Sequence, residues 1–210
     1  TTDIQGKTQS GTPVFTPGHD EVPIDETVPA TFEDGTTEKV IPGEGTYTVD
    51  PSTGLVTFVP ETSFTGTGSG VTVVQTAILT ADDGSTTEIK TSAKYIPTVI
   101  SVTPTATPVE TTDIQGKTQS GTPVFTPGND EVPMDDTVPA TFEDGTTEKV
   151  IPGEGTYTVA PDGAVTFVPE KDFTGTGTGV TVKRVDKNGT PVTATYTPTV
   201  TPVTPTATPV

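Results

Sequence analysis

The feature that most constrains the fold is duplication. Residues 1–49 recur as residues 111–159 with three differences: His19/Asn129, Ile24/Met134 and Glu26/Asp136. The offset of 110 drops to 109 where Asp50-Pro-Ser-Thr-Gly54 faces Ala160-Pro-Asp-Gly163, and to 101 from Tyr95/Tyr196 onward. Both copies close on one octapeptide, Val102-Thr-Pro-Thr-Ala-Thr-Pro-Val109 and Val203-Thr-Pro-Thr-Ala-Thr-Pro-Val210. A period near 100 residues is too long for a stacked solenoid and suits a domain that folds alone. The expected division is one β-sandwich repeat over 1–107 and a second over 108–210. The pattern reads as a segment of a longer polypeptide.

The residue types choose the secondary structure. Val and Thr dominate and favour pleated strands, while 22 Gly and 22 Pro punctuate turns. No stretch carries a 3.6-residue apolar period. Tyr157-Thr-Val159 and Val165-Thr-Phe167 flank a turn with glycine at its left-handed position, so Val159 should face Val165 and Tyr157 should face Phe167. In the first copy the loop over 51–54 places Val49 against Val56 and Tyr47 against Phe58, the equivalent residues.

A second hairpin turns at Asp82-Asp-Gly84 and Lys187-Asn-Gly189. It sets Val71 opposite Tyr95 and Val73 opposite Ala93, matched by Val180 with Tyr196 and Val182 with Ala194. The first copy has eight extra residues here, four per arm, an even number that keeps each side chain on its face. Ala77, Leu79 and Ile89 are expected to add apolar contacts.

Short strands are expected at Pro13-Val-Phe15, Val28-Pro-Ala-Thr-Phe32 and Lys39-Val-Ile41. The expected core is Val14 or Phe15, Val28, Phe32, Val40, Tyr47, Val49, Val56, Phe58, Phe64, Val71, Val73 and Tyr95. The proline-rich stretch over 97–109 reads as a semi-rigid, extended connector. The fold class is therefore all-β: two tandem antiparallel β-sandwich (Ig-like) domains in an elongated arrangement. Two such beads in line would span at least about 70 Å.

The net charge is −18, from 28 acidic and 10 basic residues. Such a chain has no cationic surface with which to displace counterions from phosphates, which argues against a nucleic-acid partner. No apolar run is long enough to cross a bilayer, and no membrane association is expected. With no cysteine, neither disulfides nor thiol chemistry is available. The single histidine, His19, is replaced by Asn129 in the second copy, so it reads as a turn residue. No hydrolase, zinc-protease or phosphate-loop motif occurs, and no Ser/His/Asp set can be assembled twice. The glycines of Thr65-Gly-Thr-Gly-Ser-Gly70 and Thr174-Gly-Thr-Gly-Thr-Gly179 lack the lysine and helix of a phosphate loop, and tight backbone packing or a bulge explains them. No catalytic residue and no cofactor is expected.

Three further features have a chemical reading. Asp20, Glu21, Asp25 and Glu26 recur as Asp130, Glu131, Asp135 and Asp136 and are the candidate calcium ligands, although their spacing matches no EF-hand. An intramolecular isopeptide bond would need a buried lysine, for which Lys7/Lys117 and Lys39/Lys149 are the duplicated choices. Asn188-Gly-Thr190 fits a glycosylation sequon, but its counterpart Asp83-Gly-Ser85 shows that turn chemistry suffices.

Pro42-Gly-Glu-Gly-Thr-Tyr-Thr-Val49 with Val56-Thr-Phe58, the string from Phe173 to Gly189 beginning Phe-Thr-Gly-Thr-Gly-Thr-Gly-Val-Thr-Val, and Tyr196-Thr-Pro-Thr-Val200 resemble the CshA-type fibril repeat. Those repeats occur in tandem in long surface adhesins of oral streptococci and related Gram-positive bacteria. The first copy departs from the pattern after Val73, where Val74-Gln75 replaces Lys183-Arg184. The resemblance implies a structural stalk, in which monomeric repeats contact adjacent repeats of the same chain and project an adhesive tip. It implies an extracellular, cell-wall-anchored location, with host-matrix binding through a non-repetitive part of the parent. The alternative is that the repeats themselves bind a host protein, a glycan or a neighbouring fibril.

Overall fold

The computed structural model describes residues 1–208, so Pro209 and Val210, which close the expected second repeat, lie outside the described residues. The chain divides into two compact units, the first being Thr1–Ser101 and the second beginning at Val102. The break precedes the octapeptide that the sequence suggested would end the first repeat. No helix occurs among the described residues.

In the first unit one sheet has the order Gln9–Gly11, Val56–Pro60, Gly45–Val49, Glu38–Ile41, all antiparallel. The other layer contains Thr31–Phe32, Val71–Thr80 and Thr86–Tyr95, followed by the ladder Thr2–Ile4, Thr98–Ile100, Gly66–Thr67. In the second unit the corresponding layer is a single five-stranded sheet, because Pro191–Thr201 runs through without a break. Along Gly45–Val49 and Val56–Pro60 buried and more exposed residues alternate, the signature of a strand with one face on the core.

Both hairpins have the expected register. Tyr47 faces Phe58 and Val49 faces Val56, with the same pairing for Tyr157/Phe167 and Val159/Val165. Val71 faces Tyr95 and Val180 faces Tyr196; the longer hairpin has ten residues per arm and the shorter departs after Val185. Of the added apolar side chains only Ala77 is buried, while Leu79 and Ile89 remain 41% and 45% exposed.

The core of the first unit joins Ala30, Phe32, Tyr47, Val49, Val56, Phe58, Val71, Val73, Tyr95 and Val99, with Phe15 and Phe64 packed at its margin. Tyr47 stacks on Phe58 with ring centroids 4.5 Å apart and meets Tyr95 edge-on at 6.3 Å, geometries that add to simple burial. Val14 and Val40 are exposed, and Val28 is only half-buried. Val40 lies on the outermost strand, Glu38–Ile41, where Ile41 rather than Val40 turns inward. Charged neighbours on such an edge discourage pairing with other chains.

The sheets are antiparallel as expected apart from one ladder per unit, in which the first strand runs parallel to the last, Thr2–Ile4 beside Thr98–Ile100 and Val109–Ile114 beside Pro191–Thr201. One expectation is corrected. The stretch over 97–109 is extended, but little of it is free connector. Thr98–Ile100 is a strand of the first unit, and Thr105–Thr107 pairs with Val124–Thr126 of the second. The equivalent of that last strand in the first unit, Val14-Phe-Thr16, forms no strand, and neither does the expected Pro13-Val-Phe15 that overlaps it.

Candidate functional site

The most organised polar chemistry in each unit surrounds one buried glutamate. In the first copy Ile41-Pro-Gly-Glu-Gly45 makes a tight turn in which Glu44 N–H donates to the Ile41 carbonyl at 3.0 Å. Gly43 has φ of +79° and Gly45 of +152°, values that glycine adopts without strain. A Cβ on Gly45 would also stand 2.8 Å from both the Phe58 ring and the Pro60 Cα. The turn thus drives the Glu44 side chain inward, where it is 6 % exposed.

A buried carboxylate is costly unless it is fully hydrogen-bonded. Here the Tyr47 hydroxyl donates to Oε1. Ser69 N–H donates at 3.0 and 2.9 Å to the two oxygens, and the Ser69 hydroxyl donates to Oε2 at 2.8 Å. Burial pushes the Glu44 carboxyl upward, but these bonds outweigh it and hold the group below its ordinary value. The same burial, reinforced by the carboxylate, pushes the Tyr47 phenol well above its usual range. The second unit repeats the arrangement with Glu154, Tyr157 and Thr178, the last donating from N–H at 2.9 Å to each oxygen and from its hydroxyl at 2.7 Å.

This explains the Gly/Thr loops. A Cβ on Gly68 would lie 2.6 Å from the Tyr47 hydroxyl and 2.7 Å from Glu44 Oε1, and Gly177 is equally confined. The loop does bind an anion, but the anion is the chain's own carboxylate. The sequence carried a usable signal: a charged residue between two glycines, three residues before a core tyrosine, and present twice.

A second duplicated network joins the two ends of each unit. Thr1 donates to Gln9 Oε1 at 2.7 Å and bonds the Tyr95 hydroxyl at 2.8 Å, while Gln9 Nε2 donates to the Thr98 carbonyl at 2.9 Å. Thr111, Gln119, Tyr196 and Thr199 do the same at 2.6, 2.8 and 2.9 Å. Burial raises the Tyr95 and Tyr196 phenols.

The residues singled out from sequence are arranged otherwise. Among the described residues no three His, Cys, Asp or Glu side chains gather as a metal site. Asp25 caps its own turn by accepting from Thr27 N–H and hydroxyl at 2.9 and 2.7 Å, which lowers its carboxyl. Asp135 accepts from Lys187 at 2.6 Å and from Thr137, and is held down to about 2. Asp136 pairs with Arg184 at 2.6 Å. Asp20, Glu21, Glu26 and Asp130 are exposed; Glu131 N–H donates to Asn129 Oδ1 at 2.9 Å. His19 occupies the same place, with Nδ1 accepting from Glu21 N–H at 3.2 Å, so histidine and asparagine perform one turn-capping task. Lys39, Lys117 and Lys149 are exposed and Lys7 is half-buried, so none lies in the enclosed setting that an isopeptide bond requires.

The family model of the surface adhesin CshA repetitive domain matches residues 1–99 and 101–200. Among solved structures, repeat domain 13 of the fibrillar adhesin CshA from Streptococcus gordonii is 67% identical, covering 33% of this chain and 90% of that one, with a TM-score of 0.20. Mouse cadherin-23 EC22-24 is 15% identical over 84% of this chain and 53% of that one, with a TM-score of 0.32. The CbhA fibronectin(III)-like modules of Clostridium thermocellum are 14% identical over 96% and 89%, with a TM-score of 0.28. No curated protein sequence matches. Copy for copy, from the Pro-Gly-Glu-Gly turn to the Gly/Thr loop that covers its glutamate, the chain belongs to the family of surface adhesin CshA repetitive domains.

Proposed function

We propose that the two units are tension-bearing spacer repeats in the stalk of a cell-wall-anchored fibrillar adhesin. They would hold an adhesive, non-repetitive region, the part that contacts host matrix, away from the bacterial surface. The observation that carries this reading is the parallel ladder between the first and last strands of each unit. Thr2 to Ile4 align with Thr98 to Ile100, and Val109 to Ile114 align with Tyr196 to Thr201. In a parallel pair, the start of one strand and the end of the other lie at opposite ends of the ladder. Force applied through the chain therefore shears the ladder along its length, and its hydrogen bonds must fail together instead of one by one. Side chains reinforce the same joint through Thr1, Gln9 and Tyr95 and through Thr111, Gln119 and Tyr196.

Single-molecule force spectroscopy tests this. The ladders enclose chain that extends by about 330 Å in the first unit and about 300 Å in the second, at roughly 3.3–3.6 Å per residue. Gln115 occupies the second position of a turn closed by Lys117 N–H on the Ile114 carbonyl, a place where proline fits, yet its own N–H donates to the Thr201 carbonyl at 2.9 Å. Q115P should lower the unfolding force of the second unit and leave the first as an internal reference. An unchanged force would show that the ladder is not the mechanical joint. Saturable binding of the two-unit chain to fibronectin, a glycan or itself at micromolar concentration would favour a binding module over a spacer.

A further inference from the structure

One groove on the second unit carries polar chemistry that the fold leaves uncommitted. Its frame is the turn after Thr141–Phe142. Gly145, at φ of +84°, donates its N–H to the Phe142 carbonyl at 2.9 Å, and Glu143 N–H donates to the Thr181 carbonyl at 3.0 Å. Thr181 stands opposite Thr195; since Val180, Val182 and Tyr196 are buried in the core, Thr181, Thr195 and Thr197 point to the outer face. With Thr178, Gly179 and Lys149 they line a cavity of about 500 Å³, a volume usual for small-molecule sites. Among the described residues the side chains of Glu143, Lys149, Thr181, Thr195 and Thr197 have no hydrogen-bond or ion-pair partner. Asp144 Oδ1 accepts from Thr146 N–H and hydroxyl at 3.0 and 2.6 Å, which leaves Oδ2 uncommitted.

The first unit is a built-in control. It has the same residue at every position of the groove except three: Ser69 for Thr178, Lys94 for Thr195 and Ile96 for Thr197. The nearest side-chain atom to a Cβ on Gly70 would be Ile96 Cγ1 at 3.0 Å, whereas at Gly179 it would be the Thr197 hydroxyl at 3.1 Å. Carbon replaces oxygen at that point of the wall. Chain outside a unit does not cover this face. The first unit is followed by another repeat and the second is preceded by one, yet Glu33, Asp34, Lys39 and Lys94 are exposed in the one and Glu143, Asp144, Lys149 and Thr195 in the other.

We propose that this groove of the second unit binds a terminal neutral sugar of a glycan. A pyranose presents adjacent hydroxyls at its rim and C–H groups on its faces. The Glu143 carboxylate accepts from two such hydroxyls at once, the threonine hydroxyls donate or accept as needed, and the Lys149 ammonium donates. The threonine methyl groups meet the C–H faces. Glu143 and Asp144, on a chain of net charge −18, turn away sialylated, uronic and sulfated sugars. Thr195 and Thr197 decide which unit binds, because Lys94 and Ile96 remove both hydroxyls from the first. This function is additional to load-bearing. The sugar contacts side chains on the outer face and the ladder is made of main-chain bonds, so either reading can fail alone.

Titration of the full chain with the methyl glycosides of glucose, galactose and N-acetylglucosamine at millimolar concentration, followed by amide NMR, tests this. At least one sugar should give saturable shifts at Gly179, Thr181, Thr195 and Thr197 and leave Gly70, Thr72, Lys94 and Ile96 unmoved. Sialic acid should move neither set. T195K with T197I installs side chains that the first unit already carries at the equivalent positions, so the fold is kept, and it should weaken binding at least about tenfold. Absence of shifts with all three sugars, equal shifts in both units, or an unchanged response in that variant would refute the proposal. Shifts with a lysine-rich peptide but with no sugar would overturn it in favour of a basic protein segment.

Discussion

Replacing Glu154 by glutamine removes one charge and almost no volume, which makes it a sharp probe of the buried carboxylate. In the native unit both oxygens accept only: from the Tyr157 hydroxyl, from Thr178 N–H and from the Thr178 hydroxyl. A glutamine presents one acceptor and one NH2 group, so at least one of those donors faces another donor. Charge-assisted bonds contribute about 1.5–3 kcal/mol each against about 1 for neutral ones, and a stranded buried group costs about 1–3. The sum is a loss of about 2–5 kcal/mol from a unit whose total stability is of order 5–15. At roughly 4–8 °C per kcal/mol for a domain of this size, the second unit should melt about 8–40 °C early. The first unit keeps Glu44 and serves as the reference within the same molecule. Urea denaturation read by hydrogen exchange, separately for amides near Val182 and near Val73, measures the difference. Y157F should cost less, and the double variant should fall short of the sum by about 1 kcal/mol or more, because both remove one network. If E154Q costs less than about 0.5 kcal/mol, the range of an ordinary surface change, the carboxylate network does not hold the sheets together.

Other expectations follow from the same geometry. Glu44 and Glu154 are held below their ordinary value of 4.5, so their contribution is fully present above about pH 4.5 and is lost as pH falls through the folded value. The melting temperature should therefore drop below that pH, and less steeply in E44Q/E154Q, whereas equal slopes would assign the acid transition to the turn aspartates. G45A forces a Cβ into the Phe58 ring and the Pro60 backbone at a positive φ and should destabilise the first unit by about 2–5 kcal/mol in chemical denaturation. L79T with I89T at the long hairpin should cost only about 1 kcal/mol, less than a core substitution, since the two side chains are 41% and 45% exposed. Excess calcium or chelator should shift melting by no more than a degree or so, because Asp25, Asp135 and Asp136 already have hydrogen-bonding or ionic partners; a large calcium-dependent rise would reinstate the acidic loops as ligands.

The two hairpins could be read from sequence because alternation and turn chemistry agree there. Tyr47, Val49, Val56 and Phe58 fall on one face once Val49 pairs with Val56, and the second copy, one residue shorter within the turn, keeps the equivalent pairing of Val159 with Val165. Short edge strands gave no such check. Val40 and Ile41 differ by one position, and nothing local says which turns inward. Residues 105–107 look like linker, since three residues without apolar alternation form a strand only when a distant edge receives them. Glu44 escaped because a charged residue is the last candidate for an interior. Its burial depends on Ser69, 25 residues further on, a partner that no local window contains.

The pairing of first strand with last also sets the order in which a unit can become structured. Thr2 meets Thr98 and Val109 meets Tyr196, so closure joins residues nearly a whole unit apart and must wait until the chain between them is complete. A polypeptide that emerges from its N-terminus would hold every opening strand unpaired until its own closing strand arrives. Thr2-Asp-Ile4 and Thr112-Asp-Ile114 are the same tripeptide, so in that interval an opening strand is equally suited to a neighbour's closing strand. Near-identity between repeats thus carries a kinetic risk of exchanged strands, and it makes the pace at which successive repeats emerge a determinant of correct assembly.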